Sequence, residues 1–365
     1  LYSLAGVSQE VVKLEVVAEA GTWFETKPGQ AHFAAGMLEK GTTSYSSAEL
    51  AEFFERHGAS IEITSGSDFV SVSLYSLARH LKSVVPVFQE LLTTPSFDPD
   101  ELSLMKSIFI QTLKVNNEKT SYLASKLLKR NVFGIDHPYG SSIEEAQVAD
   151  LDVEDLESFF RHHLQFGKLF VAGNMQMNKL LEALHVLEKM EAPVEKDLTL
   201  IPPVAGKSFD KMDRPASVQS SIRLGQRTIS RTHFDFPGLL LLNHYLGGFF
   251  GSQLMQNLRE EKGLTYGVGS SIHSFRNDGL FLIGTDVNKE NSDVAVEQIQ
   301  HELRKICEGD INKNDLELAR RHFVGSFQSD FANPFSVLSK IKNLELYQLP
   351  SNYYEHLLST VDSIS

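Results

Sequence analysis

The sequence predicts an α+β fold of two homologous domains. Three observations carry the prediction. Segments that alternate apolar and polar residues are followed by segments of helical spacing, and this order occurs twice. A stretch rich in proline and charge then lies between the two copies.

In chain order, "VVKLEVVAEAG" (11–21) and "SIEITSGSDFVSVSLYS" (60–76) alternate with period two and are rich in Val and Ile, which predicts strands. Residues 30–57 between them carry helical spacing that stops at Gly58, where a glycine suits a C-cap. A helix is predicted from about Arg79 to Leu92. Another lies in "FDPDELSLMKSIFIQTLKVNN", opening at Asp98-Pro99 because the fixed φ of proline fits a first helical turn. "GIDHPYGSS" (134–142) is a loop. "VADLDVEDLESFFRHHL" is a helix capped by Asp152, whose closing cations, "RHH" at 161–163, suit the macrodipole. "GKLFVAGNM" (167–175) is a further strand.

The second half runs through the same order. "FPGLLLLNHYLGGFFGSQLMQNLREEKGLTYGVGSSIHS" predicts helix, turn, helix and strand, with Ser252 as the N-cap of the second helix. Its "YLGGFFGS" lacks the Lys-Ser/Thr of a phosphate-cradling loop and is a tight turn between helices. "GLFLIGTDVN" is the next strand and "NSDVAVEQIQHELRKICEG" the next helix. "NDLELARRHF" (314–323) matches "DELSLMKSIF" (100–109) apolar position for apolar position, about 214 residues apart, and Gly58 matches Gly263, about 205 apart. Solenoid repeats are only about 20–50 residues long, so the repeat is a duplicated domain. The expected domains are 1–190 and 218–365, joined by a linker at 191–217.

Composition narrows the function. A net charge of −13 argues against a nucleic-acid partner and favours basic or neutral ones. A lone cysteine, Cys307, excludes an internal disulfide. No apolar run approaches the roughly 20 residues of a membrane span, so a soluble protein without a span is expected. The chain opens at Leu1 without a charged-then-apolar signal segment, which suggests a processed or trimmed start; the compartment is unknown, with the cytoplasm preferred to the periplasm.

Residues 29–50, "GQAHFAAGMLEKGTTSYSSAEL", resemble the opening of a metal-binding helix. A zinc hydrolase needs several ligands and a base for the bound water, and His-x-x-Glu-His places two histidines and the base on one helical face. At those positions the chain has His32, Ala35 and Gly36. No other pair among the 13 histidines has helical ligand spacing. No metal site is therefore expected, and His32 is expected to be a structural helix residue.

With these residues in view, the chain resembles the pitrilysin/insulinase-like metallopeptidase family over nearly its whole length. "HFAAGMLEKGT" is similar to the family's inverted zinc motif, and "FDPDEL", "HPYGSSI" and "LGGFFGSQLMQNLREEKGLTYGV" match in order. The resemblance implies two domains, each an antiparallel-rich sheet with helices on one face, forming half of a clam-shell. It also implies a third ligand near Gln111 or Thr112, where no acid stands. The family's Arg/Tyr pair falls on Arg259 and Tyr266, a guanidinium and a phenol suited to a peptide carbonyl and a developing oxyanion.

Some family members divide these duties between two chains, as in mitochondrial processing peptidase. The resemblance then implies a chain that binds no cofactor and is inactive alone. A homologous partner would hold the zinc, and Arg259 and Tyr266 would hold the peptide substrate. The alternative is a scaffold of the same fold that is structural or binds peptides without catalysis.

Overall fold

The computed structural model describes residues 2–4, 10–190, 193–194, 196 and 200–364. Chain contacts divide it into two units: Leu1–Leu113, Ser142–Thr199 and Asn333–Lys342 form the first, and Lys114–Ser141, Leu200–Ala332 and Asn343–Ser365 the second. This division crosses the domain limits expected from sequence, because 114–141 groups with the second unit and 333–342 with the first. Of the expected linker, residues 191–192, 195 and 197–199 lie outside the described residues.

In the first unit, β1 (Tyr2–Leu4), β2 (Val11–Ala18), β3 (Ser60–Ser65), β4 (Val70–Leu77) and β5 (Lys168–Ala172) form one sheet in the order β1-β5-β2-β4-β3. Among the described residues only β1 and β5 pair in parallel. The stretch 60–76 is thus two strands, turned at Gly66, whose N–H donates to the Phe69 carbonyl at 2.9 Å. Leu14 lies opposite Leu74 and Val16 opposite Val72, giving one face of aliphatic pairs. Helices Gln30–Met37, Leu81–Thr93 and Val153–His163 contribute Phe33, Phe88 and Phe159 to the same core.

The helical stretch expected over 30–57 is two helices, Gln30–Met37 and Ser47–Arg56. Gly41, at φ 121°, breaks the run. Ser46 restarts it through a capping box with Glu49. Asp152 caps its helix as expected, accepting from the Asp155 N–H at 2.9 Å.

The opposite face of β2 carries Lys13 and Glu15, both buried. Helix Pro334–Leu346 brings Lys342 to 2.5 Å from the Glu15 carboxylate, and Lys13 lies 2.8 Å from it. Burial alone would raise the Glu15 carboxyl, but the two lysines outweigh it and hold it below its usual value.

In the second unit, β6 (Gln219–Thr228), β7 (Thr265–Ser274) and β8 (Gly279–Asn288) form an antiparallel sheet in the order β6-β8-β7. Helix Phe236–Gly247 precedes a second helix that starts at Gln253, whose residues Met255–Glu261 are wound as a π-helix. Ser252 does not cap it: the side chain is buried and its hydroxyl makes no hydrogen bond. Helix Thr120–Phe133 lies along β6. The Thr120 and Ser221 hydroxyls are 2.8 Å apart, and the Arg223 Nε donates to Ser125 at 3.2 Å, which is why this helix belongs to the second unit.

The order of elements recurs. β2, two helices, β3, β4, a helix and a long helix are followed later by β6, two helices, β7, β8, a helix and a long helix. The strand orders β2-β4-β3 and β6-β8-β7 correspond.

Among the described residues no helix is long and apolar enough to cross a membrane. Removing one member of a buried ion group strands the others. Glu15→Ala is therefore expected to cost about 3–5 kcal/mol of unfolding free energy in a urea titration. Replacing Lys13, Glu15 and Lys342 together by methionine should cost far less, because no charge is then left buried.

Candidate functional site

Polar side chains fix the helix bearing His32 at its start. Gln30 Oε1 accepts from the N–H groups of Thr26 and Lys27, each at 2.9 Å, and Glu25 accepts from the Ala31 N–H at 2.8 Å. Lys27 then reaches Asp155 at 2.8 Å, tying this start to helix Val153–His163. Burial pushes the Glu25 carboxyl up to about 7, although the Ala31 and Gly29 amides pull the other way.

The three motif positions sit in apolar surroundings. His32 packs edge-on to Phe33 (5.2 Å between ring centroids) and against Phe109 (4.8 Å), and burial lowers its imidazole pKa. Ala35 is fully buried. At Gly36, an added Cβ would lie 2.2 Å from the Met105 methyl carbon, the flexible end of a side chain from helix Pro99–Asn117 that fills this space and would have to swing aside for a ligand side chain.

The residues of that helix facing the motif are Met105 and Phe109. Gln111 and Thr112, expected nearest a third ligand position, are exposed, and the Thr112 hydroxyl donates to its own helix at the Ile108 carbonyl (3.0 Å). This donor set does not fit a zinc ion: one imidazole faces two thioether- and phenyl-bearing side chains. Among the described residues no group of three or more His, Cys, Asp or Glu side chains could hold a metal.

Arg259 and Tyr266 stand on two irregularities of the second unit. The π-wound helix closes with the Lys262 N–H on the Asn257 carbonyl (3.2 Å) and the Leu264 N–H on the Leu258 carbonyl (2.8 Å), with Gly263 at φ 61°. Wide winding inserts an extra residue per turn and re-aims the side chains that follow. Leu258 is buried below, and the Asn257 side chain donates to Glu302 at 2.5 Å. Arg259 is left 37% exposed, its guanidinium carbon 4.9 Å from the Phe250 ring centre and its Nε 3.4 Å from Glu260.

The pairing of β7 with β8 shifts register between Thr265 and Val268, so two residues, Tyr266 and Gly267, oppose one. This bulge is held by hydroxyls: Thr265 donates to the Asp286 carbonyl at 2.8 Å and accepts from the Gly267 N–H at 3.1 Å, and Thr285 donates to the Gly267 carbonyl at 3.0 Å. Tyr266 is 92% exposed. Bulges re-aim side chains in this way. The π-helix packs against β7, so the elements carrying Arg259 and Tyr266 adjoin.

Sequence reasoning passed over Phe250 and Thr285. The aromatic pair in "GGFFG" was the one available signal for the first, and nothing marked the second. A cleft of about 530 Å³ in the first unit, lined by Lys40, Thr42, Tyr45, Asp98 and Leu104 among others, contains none of the predicted site residues.

The fold defines a pitrilysin-like protein, and the positions of its class's metal ligands and base are here His32, Ala35 and Gly36. Comparison with known proteins agrees on the family. The model of insulinase (peptidase family M16) matches residues 4–146, and that of the peptidase M16 inactive domain matches 150–323. The chain belongs to the M16 family. It is 23% identical over 343 residues to an uncharacterized zinc protease, YmxG, of Bacillus subtilis (strain 168), covering 92% of this chain and 83% of that protein. It is 22% identical to a non-peptidase homolog, YmxG, of Helicobacter pylori (strain ATCC 700392 / 26695), covering 92% and 79%. A solved peptidase M16 inactive domain from Pseudomonas fluorescens superposes with a TM-score of 0.85 at 22% identity, over 100% of this chain and 89% of that one.

Two outcomes are expected. Gly36→His should leave zinc well below one equivalent by metal analysis and lower stability by about 1–3 kcal/mol through overpacking against Met105. The second concerns Glu25. A carboxyl whose folded pKa is raised keeps its proton better in the native state, so its contribution favours the fold at low pH and is lost as pH rises from 4.5 to about 7. Urea midpoints measured from pH 4 to 8 should show that loss, and Glu25→Gln should flatten it.

Proposed function

We propose that this chain is the zinc-less subunit of a two-chain metallopeptidase. It supplies Arg259 and Tyr266 to a peptide that a homologous, zinc-bearing partner hydrolyses. The observation that supports this reading is the contrast between the two sets of positions. The metal positions lack ligands and are covered by Met105 and Phe109, whereas Arg259 and Tyr266 are held outward on a π-turn and a hydroxyl-stapled bulge. A guanidinium gives planar paired donors to a peptide carbonyl, and a phenol gives one donor to the oxyanion that forms when water attacks. Neither group generates the attacking water, so hydrolysis requires the second chain.

The alternative, a scaffold that binds or organises without catalysis, draws on the name of the Helicobacter pylori relative, a non-peptidase homolog. Hydrolysis assays separate the two. This chain, a homologue with an intact His-x-x-Glu-His motif from the same genome, and an equimolar mixture are each given an unstructured peptide. Turnover in the mixture alone is the expected result. A homologue that is fully active by itself and gains nothing from this chain would establish the scaffold. In the active mixture, Arg259→Ala and Tyr266→Phe are expected to lower kcat by about 100-fold, the cost of losing one oxyanion donor, with the sedimentation of the pair unchanged.

A further inference from the structure

The turn that joins helix Phe236–Gly247 to the π-wound helix is crowded on every side. A Cβ added at Gly247 would lie 2.6 Å from the Ser270 nitrogen of β7, one at Gly248 2.6 Å from the His244 Cα, and one at Gly251 2.7 Å from the Phe249 ring. Phe249 turns inward. It stacks on His244 (4.9 Å between centroids, 7° between planes) and on His322 of helix Lys313–Ser329 (4.7 Å, 29°). The two imidazoles share a hydrogen bond, Nε2 to Nδ1, at 2.9 Å. Burial, with the neighbouring His322, pushes His244 down to about 4, so the His244 ring stays neutral across the neutral range. The turn is thereby fastened to two helices and to β7.

Phe250, the next residue, turns the other way. It is 62% exposed, and its ring carries the Arg259 guanidinium at 4.9 Å. A single exposed aromatic ring is ordinary on a protein surface; Phe250 is singled out by its contact with the cation of the candidate site. A long arginine side chain loses rotamer freedom when it binds a ligand, and a partner that orders it beforehand removes that cost.

We propose that Phe250 is a positioning residue for Arg259. Its ring holds the guanidinium in the orientation that meets a peptide carbonyl, and the turn fastened by Phe249 holds the ring. The peptide part of this statement rests on the function proposed above; the Phe250–Arg259 coupling does not.

The experiment has two arms, both on the full chain. In the first, arginine-selective ¹⁵N labelling follows the Arg259 Nε–H signal, which a ring beneath the guanidinium displaces upfield. Phe250→Leu should move that signal to the position of an unordered arginine, and Phe250→Trp should keep it displaced. An unmoved signal in Phe250→Leu overturns the proposal. In the second arm, peptide turnover is measured with the zinc-bearing homologue. Phe250→Leu should cost about two- to fivefold in kcat/KM, Phe250→Trp should retain full turnover, and Phe250→Leu should cost nothing further in an Arg259→Ala background. A loss that adds to that of Arg259→Ala means Phe250 acts separately and overturns the proposal. If Arg259→Ala lowers turnover while Phe250→Leu does not, the inference fails and the proposed function stands. If the wild-type mixture hydrolyses nothing, that function fails, and the nuclear magnetic resonance arm alone decides whether Phe250 holds Arg259.

Discussion

Met105 reaches from helix Pro99–Asn117 into the space above Gly36, and much of this chain's chemistry follows from that contact. A helix position without a side chain lets a neighbouring helix insert its own, and Met is flexible enough to fill an irregular gap. Phe109 does the same beside His32. The helix that carries a metal site in the zinc-bearing kind of relative is here a core element, closed by dispersion contacts between close-packed side chains. Its first turn is anchored with some care by Gln30, Glu25 and Lys27, so the helix is kept in place although it presents nothing to a metal.

The second unit shows the opposite use of local structure. Its two departures from regular geometry, the π-winding at Met255–Glu261 and the bulge between Thr265 and Val268, stand beside Arg259 and Tyr266. Each inserts one residue into an otherwise regular element. In a helix an extra residue rotates the following side chains about the axis; in a strand it sends a side chain to another face. Both irregularities are held by specific bonds, Asn257 to Glu302 in one case and Thr265 with Thr285 in the other. The result is a cation and a phenol mounted outward on elements that cannot easily relax.

The two units share an order of elements but spend it differently. In the first, β2 is buried on both faces, and its outer face holds an ion group closed by Lys342 from a helix more than 300 residues later in the chain. In the second, the three-stranded sheet is flanked by helix Thr120–Phe133, which comes from the first half of the sequence. Each unit therefore takes a segment from the other's half of the chain.

Much of this was legible in the sequence because it rests on short-range chemistry. The α+β class, the period-two strands, the caps at Asp152 and Gly58, and the replacement of the base and second ligand by Ala35 and Gly36 need only local spacing. β6 was not legible: "QSSIRLGQRT" alternates only at Ile222 and Leu224, which pack on the core of the second unit, while Ser221 and Arg223 on its other face meet helix Thr120–Phe133 through hydroxyl and arginine contacts. The cap assigned to Ser252 failed because that residue is buried in the turn beneath Phe249, a matter of tertiary packing. Residue identity alone determined that the metal set is broken and that Arg259 and Tyr266 are present. Only the tertiary structure decided that Met105 occupies the vacated space and that Phe250 lies under Arg259. Those contacts join residues far apart in the chain or aimed by a single inserted residue, and neither spacing nor composition records where such side chains meet.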